Sequence, residues 1–339
     1  MAKKKIKPTL ENIAARSGVS VATVSRVLNR SGVVSKDLET RVKEAMQALG
    51  KEKTRAYSLA FIIPEVLNPA NTQIMAGVYE EAERLGTCVV TLNVSENAGS
   101  QQYNLKMLKQ FLVDGLIVFH EQVSPKTLVT EYNLDEDIPI VLIGRAIQSP
   151  RVYCINTDRE AGMYQATKYL LSLNHKKIAF LSGPPEWELS QSRLKGIQRA
   201  LAESGLALSP QLHRWVIPSI ETGFQVTGNV LQLPPEERPT AILAFNDLMA
   251  IGALHAVRSA GLQIPADISV IGFDNIYITP HTNPPLTTVA QPKYQMGQLA
   301  IQKMYNVLNG YDTEMGGVTL LECPLVVRES TASCKEFQI

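Results

Sequence analysis

The chain has 339 residues, 45% hydrophobic and 19% charged, with a formal net charge of +1. That length exceeds one small core and suits two or three domains. No run approaches the ~18 apolar residues of a membrane span, and the basic N-terminus lacks the apolar stretch of a secretory signal, so a cytoplasmic protein with no membrane partner is expected. Cys88, Cys154, Cys323 and Cys334 lie far apart with no CxxC pair and no histidine cluster, which predicts reduced thiols and no metal site.

The near-neutral total hides an asymmetry. Residues 1–60 hold 13 Lys+Arg against 5 Asp+Glu, a net of +8, so the remainder carries 20 against 27, a net of −7. A basic head on an acidic body points to a polyanionic partner for the head or to a solvated basic tail.

The first predicted element follows Thr9, which reads as the N-cap of the run LENIAARS, with Glu11 in the first turn where the helix dipole favours it. Gly18 ends that run and supplies the positive φ of a sharp turn. Ser20 then caps a second helix, Val21–Asn29, with Val24, Val27 and Leu28 as its apolar stripe. The opposite stripe is Ala22, Ser25, Arg26 and Asn29. Small residues let a helix approach a surface closely, and Ser, Arg and Asn offer donors to phosphates and base edges. A third helix, capped at Ser35 and running through Leu38, Val42, Ala45, Met46 and Leu49, closes a three-helix core. Helix, glycine turn and helix in a basic setting predict a helix-turn-helix, the alternative being a solvated polar face.

The segment TLENIAARSGVSVATVSRVLN resembles the headpiece of the lactose/galactose repressor (LacI/GalR) family of bacterial transcription regulators, and the similarity runs to about Arg328. The resemblance implies that Val21, Ala22 and Arg26 read bases of double-stranded operator DNA, while Ser20, Thr23, Ser25 and Asn29, with the capping Thr9, position its backbone. Val21 and Ala22 offer only apolar contact, so Arg26 is expected to supply the strongest polar readout.

From Tyr57 onward short apolar strands alternate with helical stretches. YSLAFII, CVVTLN, GLIVFH and IPIVLIG come first, then KIAFLSG, HRWVIP, TAILAF and ISVIGF, with helices at 72–85, 159–173, 190–205 and 247–260 among them. This alternation predicts an α/β core of two doubly wound parallel sheets, with ligands at the carboxyl ends of strands. LVDGLIVF, FNDLMAIGAL, IPADISVIGFDN and NPPLTTVAQPKYQMGQLA are close to the family's core signatures. They imply a periplasmic-binding-protein-like fold of two lobes around an effector, with crossings near 158–160, 288–291 and 322–324.

The expected layout is a headpiece at 1–50, a connector at 51–56, and an effector-binding and dimerisation core at 57–339. Its N-lobe spans about 57–158 plus 290–322, and its C-lobe about 159–289 plus 323–330. By the resemblance, Arg193, Asn246 and Asp274 contact the effector; Asn246 with Asp247 equally fits an N-cap. Arg145 follows a strand of the other lobe. Trp187, in a loop after a strand, suits stacking on a sugar ring or packing. Bidentate charged groups beside an aromatic plate favour a small polyhydroxylated effector such as a carbohydrate, with a nucleobase or a phosphorylated metabolite as alternatives.

The chain departs from the family in two places. After VLNP it has Ala70 and Asn71 where the family usually places aromatic residues, so Asn71 is the candidate contact there. Between ALG and YSLAFIIP stands only KEKTRA, where the family has a longer connector and a hinge helix that wedges a leucine into the minor groove. Six residues reach about 20 Å fully extended. The nearest leucine, Leu59, belongs to the first strand, so DNA binding without that wedge is expected.

A transporter's solute-binding protein would fit the body but not the headpiece. An enzyme is not expected: there is no GxSxG, no P-loop and no strand-linked GxGxxG, and His120, His175, His213, His255 and His281 are scattered. No cofactor is implied. The expectation is a homodimeric repressor; the tail ESTASCKEFQI lacks the leucine heptads of a tetramerising helix.

Overall fold

The computed structural model describes residues 9–29, 34–48, 56–64, 66, 68–93, 113–119 and 138–334. Residues 51–55 of the connector and Leu49 lie outside this set, as does His120. The chain divides into two compact units, Met1–Asn156 with Lys293–Thr319, and Thr157–Pro292 with Leu320–Ile339.

The first unit begins with α1 (Leu10–Ser17), α2 (Val21–Asn29) and α3 (Lys36–Ala48). Thr9 and Asn12 form a reciprocal capping box at the start of α1. Gly18, at φ 67, ends α1 in the left-handed region that an L side chain enters only with strain. Ile13, Ala14, Val24, Val42 and Ala45 close the small core that the amphipathic patterns predict. Val27 and Leu28, expected in the same stripe, are only half-buried and pack at its margin.

The remainder of this unit is a sheet in the order β11-β5-β4-β3-β1-β2. Its strands are β1 (Ser58–Ile63), β2 (Cys88–Asn93), β3 (Gly115–Phe119), β4 (Ile140–Ile143), β5 (Val152–Thr157) and β11 (Gly317–Leu321). The pairs β1–β2, β1–β3, β3–β4 and β4–β5 are parallel. Central strands covered on both faces read as unbroken apolar runs, and β1 follows this rule from Leu59 to Ile63, all fully buried. Leu59 is therefore a core residue. Helix α4 (Pro69–Leu85) starts three residues before the expected position, because Asn68 caps it and Pro69 occupies its first turn.

The second unit repeats the pattern. Its sheet, β12-β10-β9-β8-β6-β7, uses β6 (Ile178–Ser182), β7 (His213–Trp215), β8 (Ala241–Ala244), β9 (Ser269–Asp274), β10 (Thr287–Ala290) and β12 (Leu325–Val326). All neighbours are parallel except β10–β12. Around it lie α5 (Arg159–Ser172), α6 (Glu188–Ala202), α7 (Ile220–Leu231) and α8 (Asp247–Ser259). Helix α9 (Lys293–Leu308) returns to the first unit. Leaving β11 and β12 aside, each sheet runs second-first-third-fourth-fifth in chain order. This order reverses beside the first strand, and such a reversal opens a crevice at the carboxyl ends of the strands.

Candidate nucleic-acid interface and ligand site

The turn between α1 and α2 is fixed from several sides. The Gly18 N–H donates to the Ala14 carbonyl at 3.0 Å. The Arg41 guanidinium of α3 donates to the carbonyls of Ser17 (2.8 Å) and Gly18 (3.2 Å). The Ser20 hydroxyl accepts from the Thr23 N–H at 3.0 Å, so α2 leaves the turn capped and at a set angle. These bonds aim one face of α2 outward. Val21 is 42% exposed, and Ala22 and Arg26 are exposed beside it.

The other residues expected at DNA divide by surroundings. Thr9 and Ser20 are exposed, but their hydroxyls serve the caps, and Thr23 shares its hydroxyl with Ser20 at 2.9 Å. Ser25 is half-buried, and Asn29 is the last residue of α2, its side chain outside the described set. Val21 and Ala22 in the first turn of α2 and Arg26 in its last turn thus leave an apolar pair and a guanidinium open to solvent.

In the second unit, Arg193 of α6 is only 2% exposed. Its guanidinium lies 4.0 Å from the Phe245 ring centroid and 4.1 Å from that of Phe273. The side chain is thus a buried cation lying against two aromatic rings. Trp187 stands at the N-cap position of α6 without making a cap bond, and its ring lies 6.0 Å from Phe245. The indole thus borders the same aromatic group and packs against the lobe's core.

Asn246 caps α8, its side-chain oxygen accepting from the Met249 N–H at 2.9 Å, which leaves its amide nitrogen outside the cap. Asp274 ends β9 directly after Phe273, at a φ of 115 that a non-glycine residue rarely adopts. Its Oδ1 accepts from the Gln291 side-chain amide at 2.6 Å, and the Gln291 oxygen accepts from the Thr157 hydroxyl at 2.9 Å.

Behind this row lies Asp247, fully buried. Its carboxyl accepts from the Ile276 N–H and the Thr288 hydroxyl. Burial first, and then the charge of Asp274, push it up to about 8. The unit thus gathers Arg193, Trp187, Asn246 and Asp274 around Phe245 and Phe273. Those two rings escaped the sequence reading because strand-end aromatics in apolar runs read as core. Asp247 reads in the sequence only as part of an N-cap, and Gln291 only as one polar residue after a strand.

The two remaining candidates belong to the first unit. Asn71 is 5% exposed in the first turn of α4, its amide donating to the Pro64 carbonyl at 2.9 Å. Arg145 is half-buried two residues after the end of β4. Among the described residues no group of three or more His, Cys, Asp or Glu side chains could hold a metal, and no helix is long and apolar enough to cross a membrane.

A helix-turn-helix with an open reading face, on one chain with two doubly wound lobes, defines a DNA-binding regulator with a periplasmic-binding-protein-like core. Residues 9–50 match the model of bacterial regulatory proteins of the lacI family, and 167–331 that of a periplasmic binding protein-like domain. The HTH-type transcriptional repressor PurR of Photobacterium profundum is 31% identical over 306 residues, 87% of this chain and 90% of the relative. The repressor CytR of Escherichia coli (strain K12) is 28% identical over 95% of this chain and 96% of its own length. Among solved structures, the lac repressor dimer bound to operator and the anti-inducer ONPF superposes with a TM-score of 0.70 at 28% identity, covering 95% of this chain and 98% of the other. The CelR–cellobiose complex gives 0.71 at 29%, covering 95% and 99%. The chain belongs to the lacI family of bacterial regulatory proteins and is a DNA-binding transcriptional repressor.

Proposed function

We propose that this repressor is a homodimer that reads a palindromic operator and releases or grips it according to a carbohydrate effector. Residues 1–50 form the headpiece, 51–56 the connector, and 57–339 the effector-binding and dimerisation core. Val21, Ala22 and Arg26 read bases; Thr9, Ser20, Thr23, Ser25 and Asn29 set the backbone register. The observation that carries the effector reading is Arg193 held between Phe245 and Phe273 with Asp274 next in sequence. A fixed guanidinium donor beside a carboxylate acceptor matches adjacent hydroxyls, each of which both donates and accepts. Asn246 and Trp187 extend the same row.

The homodimer is supported by apolar side chains exposed on the second unit. Ile220 and Phe224 stand one turn apart on α7 at 37% and 42% exposure, with Ile217 just ahead at 64%. Such a patch on a protein that must engage two half-sites suits a self-complementary interface. The test is selection of bound sequences from random DNA, alone, with a pool of neutral sugars, and with a pool of nucleobases. A palindrome whose enrichment changes with sugars only is the expected result. A change with nucleobases only would replace the carbohydrate, and no enrichment in any pool would overturn the DNA reading.

A further inference from the structure

The headpiece does not stand free of its own unit. Helix α9 ends in a tight reversal: the Gly310 N–H donates to the Val307 carbonyl at 2.9 Å and the Tyr311 N–H to the Asn306 carbonyl at 2.8 Å, with Gly310 at φ 70. This folds Tyr311 back over the helix end, where it is 4% exposed and joins Ile13, Ala14, Val24, Val42 and Ala45 in one apolar cluster. Burial first, then the neighbouring tyrosines, hold its phenol well above the ordinary range.

Two further tyrosines extend the contact. Tyr305, one turn before the end of α9, packs against the same cluster with its ring 6.5 Å from Tyr311. Tyr57, the first residue after the connector, meets Tyr305 edge-on at 6.3 Å and donates its hydroxyl to the Leu308 carbonyl at 3.0 Å. The last four carbonyls of a helix lack partners within it. Leu28, near the end of α2, finds its partner in the Gln302 side-chain amide of α9 at 2.6 Å. Between the two bodies runs a groove of about 160 Å³ lined by Val27, Leu28 and Met46 on one side and Arg84, Gln302 and Tyr305 on the other. This docking explains the half-burial of Val27 and Leu28. It covers the C-terminal end of α2 and leaves Val21, Ala22 and Arg26 exposed.

We infer that Tyr305, Tyr311 and Gln302 form a seat that orients the headpiece, so that the core rather than the six-residue connector fixes the angle of α2 and the half-site spacing that a dimer accepts. The spacing rests on the dimeric DNA reading above; the seat itself does not. A headpiece on a flexible tether would accept many spacings at nearly equal affinity, since its ordering cost varies only slowly with reach. A seated one accepts few.

The test uses the full chain with Gln302→Glu, which sets a carboxylate against the Leu28 carbonyl, and separately with Tyr311→Ala. Thermal unfolding of the core serves as the folding check for both. Without DNA, amide relaxation is expected to show wild-type headpiece residues tumbling with the core, and a correlation time several-fold shorter in both variants. With operators of varied half-site spacing, the wild type is expected to select a single spacing. The variants should accept several, with single half-site affinity unchanged. A wild-type headpiece that relaxes as a free domain would overturn the seat whatever the DNA result. Released variants that keep the single spacing would overturn its orienting role. A seated wild type that binds no DNA at any spacing would overturn the operator reading and the spacing claim with it.

Discussion

The guanidinium of Arg193 lies 4.0 Å above the ring of Phe245, buried almost completely within one lobe. A ring face supports the cation by about 2 kcal/mol or more when both are desolvated, and the flat guanidinium stacks where an ammonium would not. Arg193→Lys is therefore expected to behave like Arg193→Ala toward the effector. Both should leave effector-free operator affinity largely intact while removing the response to the effective sugar pool. Fluorescence anisotropy of a labelled operator, with and without that pool, reads this directly; a retained response in the lysine variant would remove Arg193 from the site.

Arg26 is the polar member of the exposed set proposed to read bases, with apolar Val21 and Ala22. A bidentate arginine contact to a base edge is worth about 1–3 kcal/mol of discrimination. Arg26→Ala should relax preference at one position of each half-site and leave the others sharp. Repeating the sequence selection with the variant checks this. An unchanged motif would assign Arg26 to the phosphate backbone.

Most of the headpiece was legible because its determinants are local. Thr9, Gly18, Ser20 and Ser35 act within four residues of themselves, so caps and turn can be read off the chain. The sheets were legible for a related reason, since strands buried on both faces leave uninterrupted apolar runs. The early start of α4 carried a readable signal, an asparagine cap followed by proline in the first turn, in the stretch VLNPAN. The short strand VYCINT was missed because only Val152, Cys154 and Ile155 mark it as apolar. The Gln302–Leu28 bond spans 274 residues, and the rings flanking Arg193 come from the residue after β8 and from β9, so neither leaves a local trace. Tertiary meetings of this kind leave no pattern in the sequence.

Asp247 gives the second lobe a pH dependence of known sign. Its carboxyl is raised from 3.8 to about 8 by burial and by the charge of Asp274, so the folded chain binds a proton that the unfolded chain has lost. That contribution is complete below the unfolded value and is lost as pH rises through about 8. Asp247→Asn keeps an oxygen for the Ile276 N–H and an amide for Thr288, and removes the titration. The expected outcome is a variant whose melting temperature falls less than the wild type's between pH 6 and pH 8.5, measured by scanning calorimetry. Parallel curves for the two proteins would show that Asp247 does not titrate in this range.

His175 has the opposite dependence at the other end of the range. Its ring is 2% exposed, with Nε2 2.9 Å from the Ala332 carbonyl and Nδ1 3.0 Å from the Thr240 hydroxyl. A carbonyl only accepts, so Nε2 carries the proton, and Nδ1 at 3.0 Å shares the Thr240 hydroxyl proton with the Lys177 carbonyl at 3.3 Å. The neutral ring thereby ties the segment after Ser330 to the start of β8. Burial lowers the His175 pKa below 6.5, and the carbonyl contact offsets this only in part. The stabilisation is present above the unfolded value and is lost as pH falls through the lower folded one. His213, stacked on Phe180 at 5.5 Å, is lowered by burial as well and adds to the same acid loss. His175→Gln should therefore reduce the fall in melting temperature between pH 7.5 and pH 5 without abolishing it, and the pair His175→Gln with His213→Gln should reduce it further. At pH 7.5 the single change should cost about 0.5–1.5 kcal/mol, because the Ala332 carbonyl loses the ring N–H and keeps the Ser269 hydroxyl at 3.3 Å. Hydrogen exchange separates the two contributions: the Ala332 and Cys334 amides, which donate to Ser269 and Leu173, should exchange faster in His175→Gln and be unaffected by His213→Gln alone. Equal exchange in both single variants would detach the tail from His175.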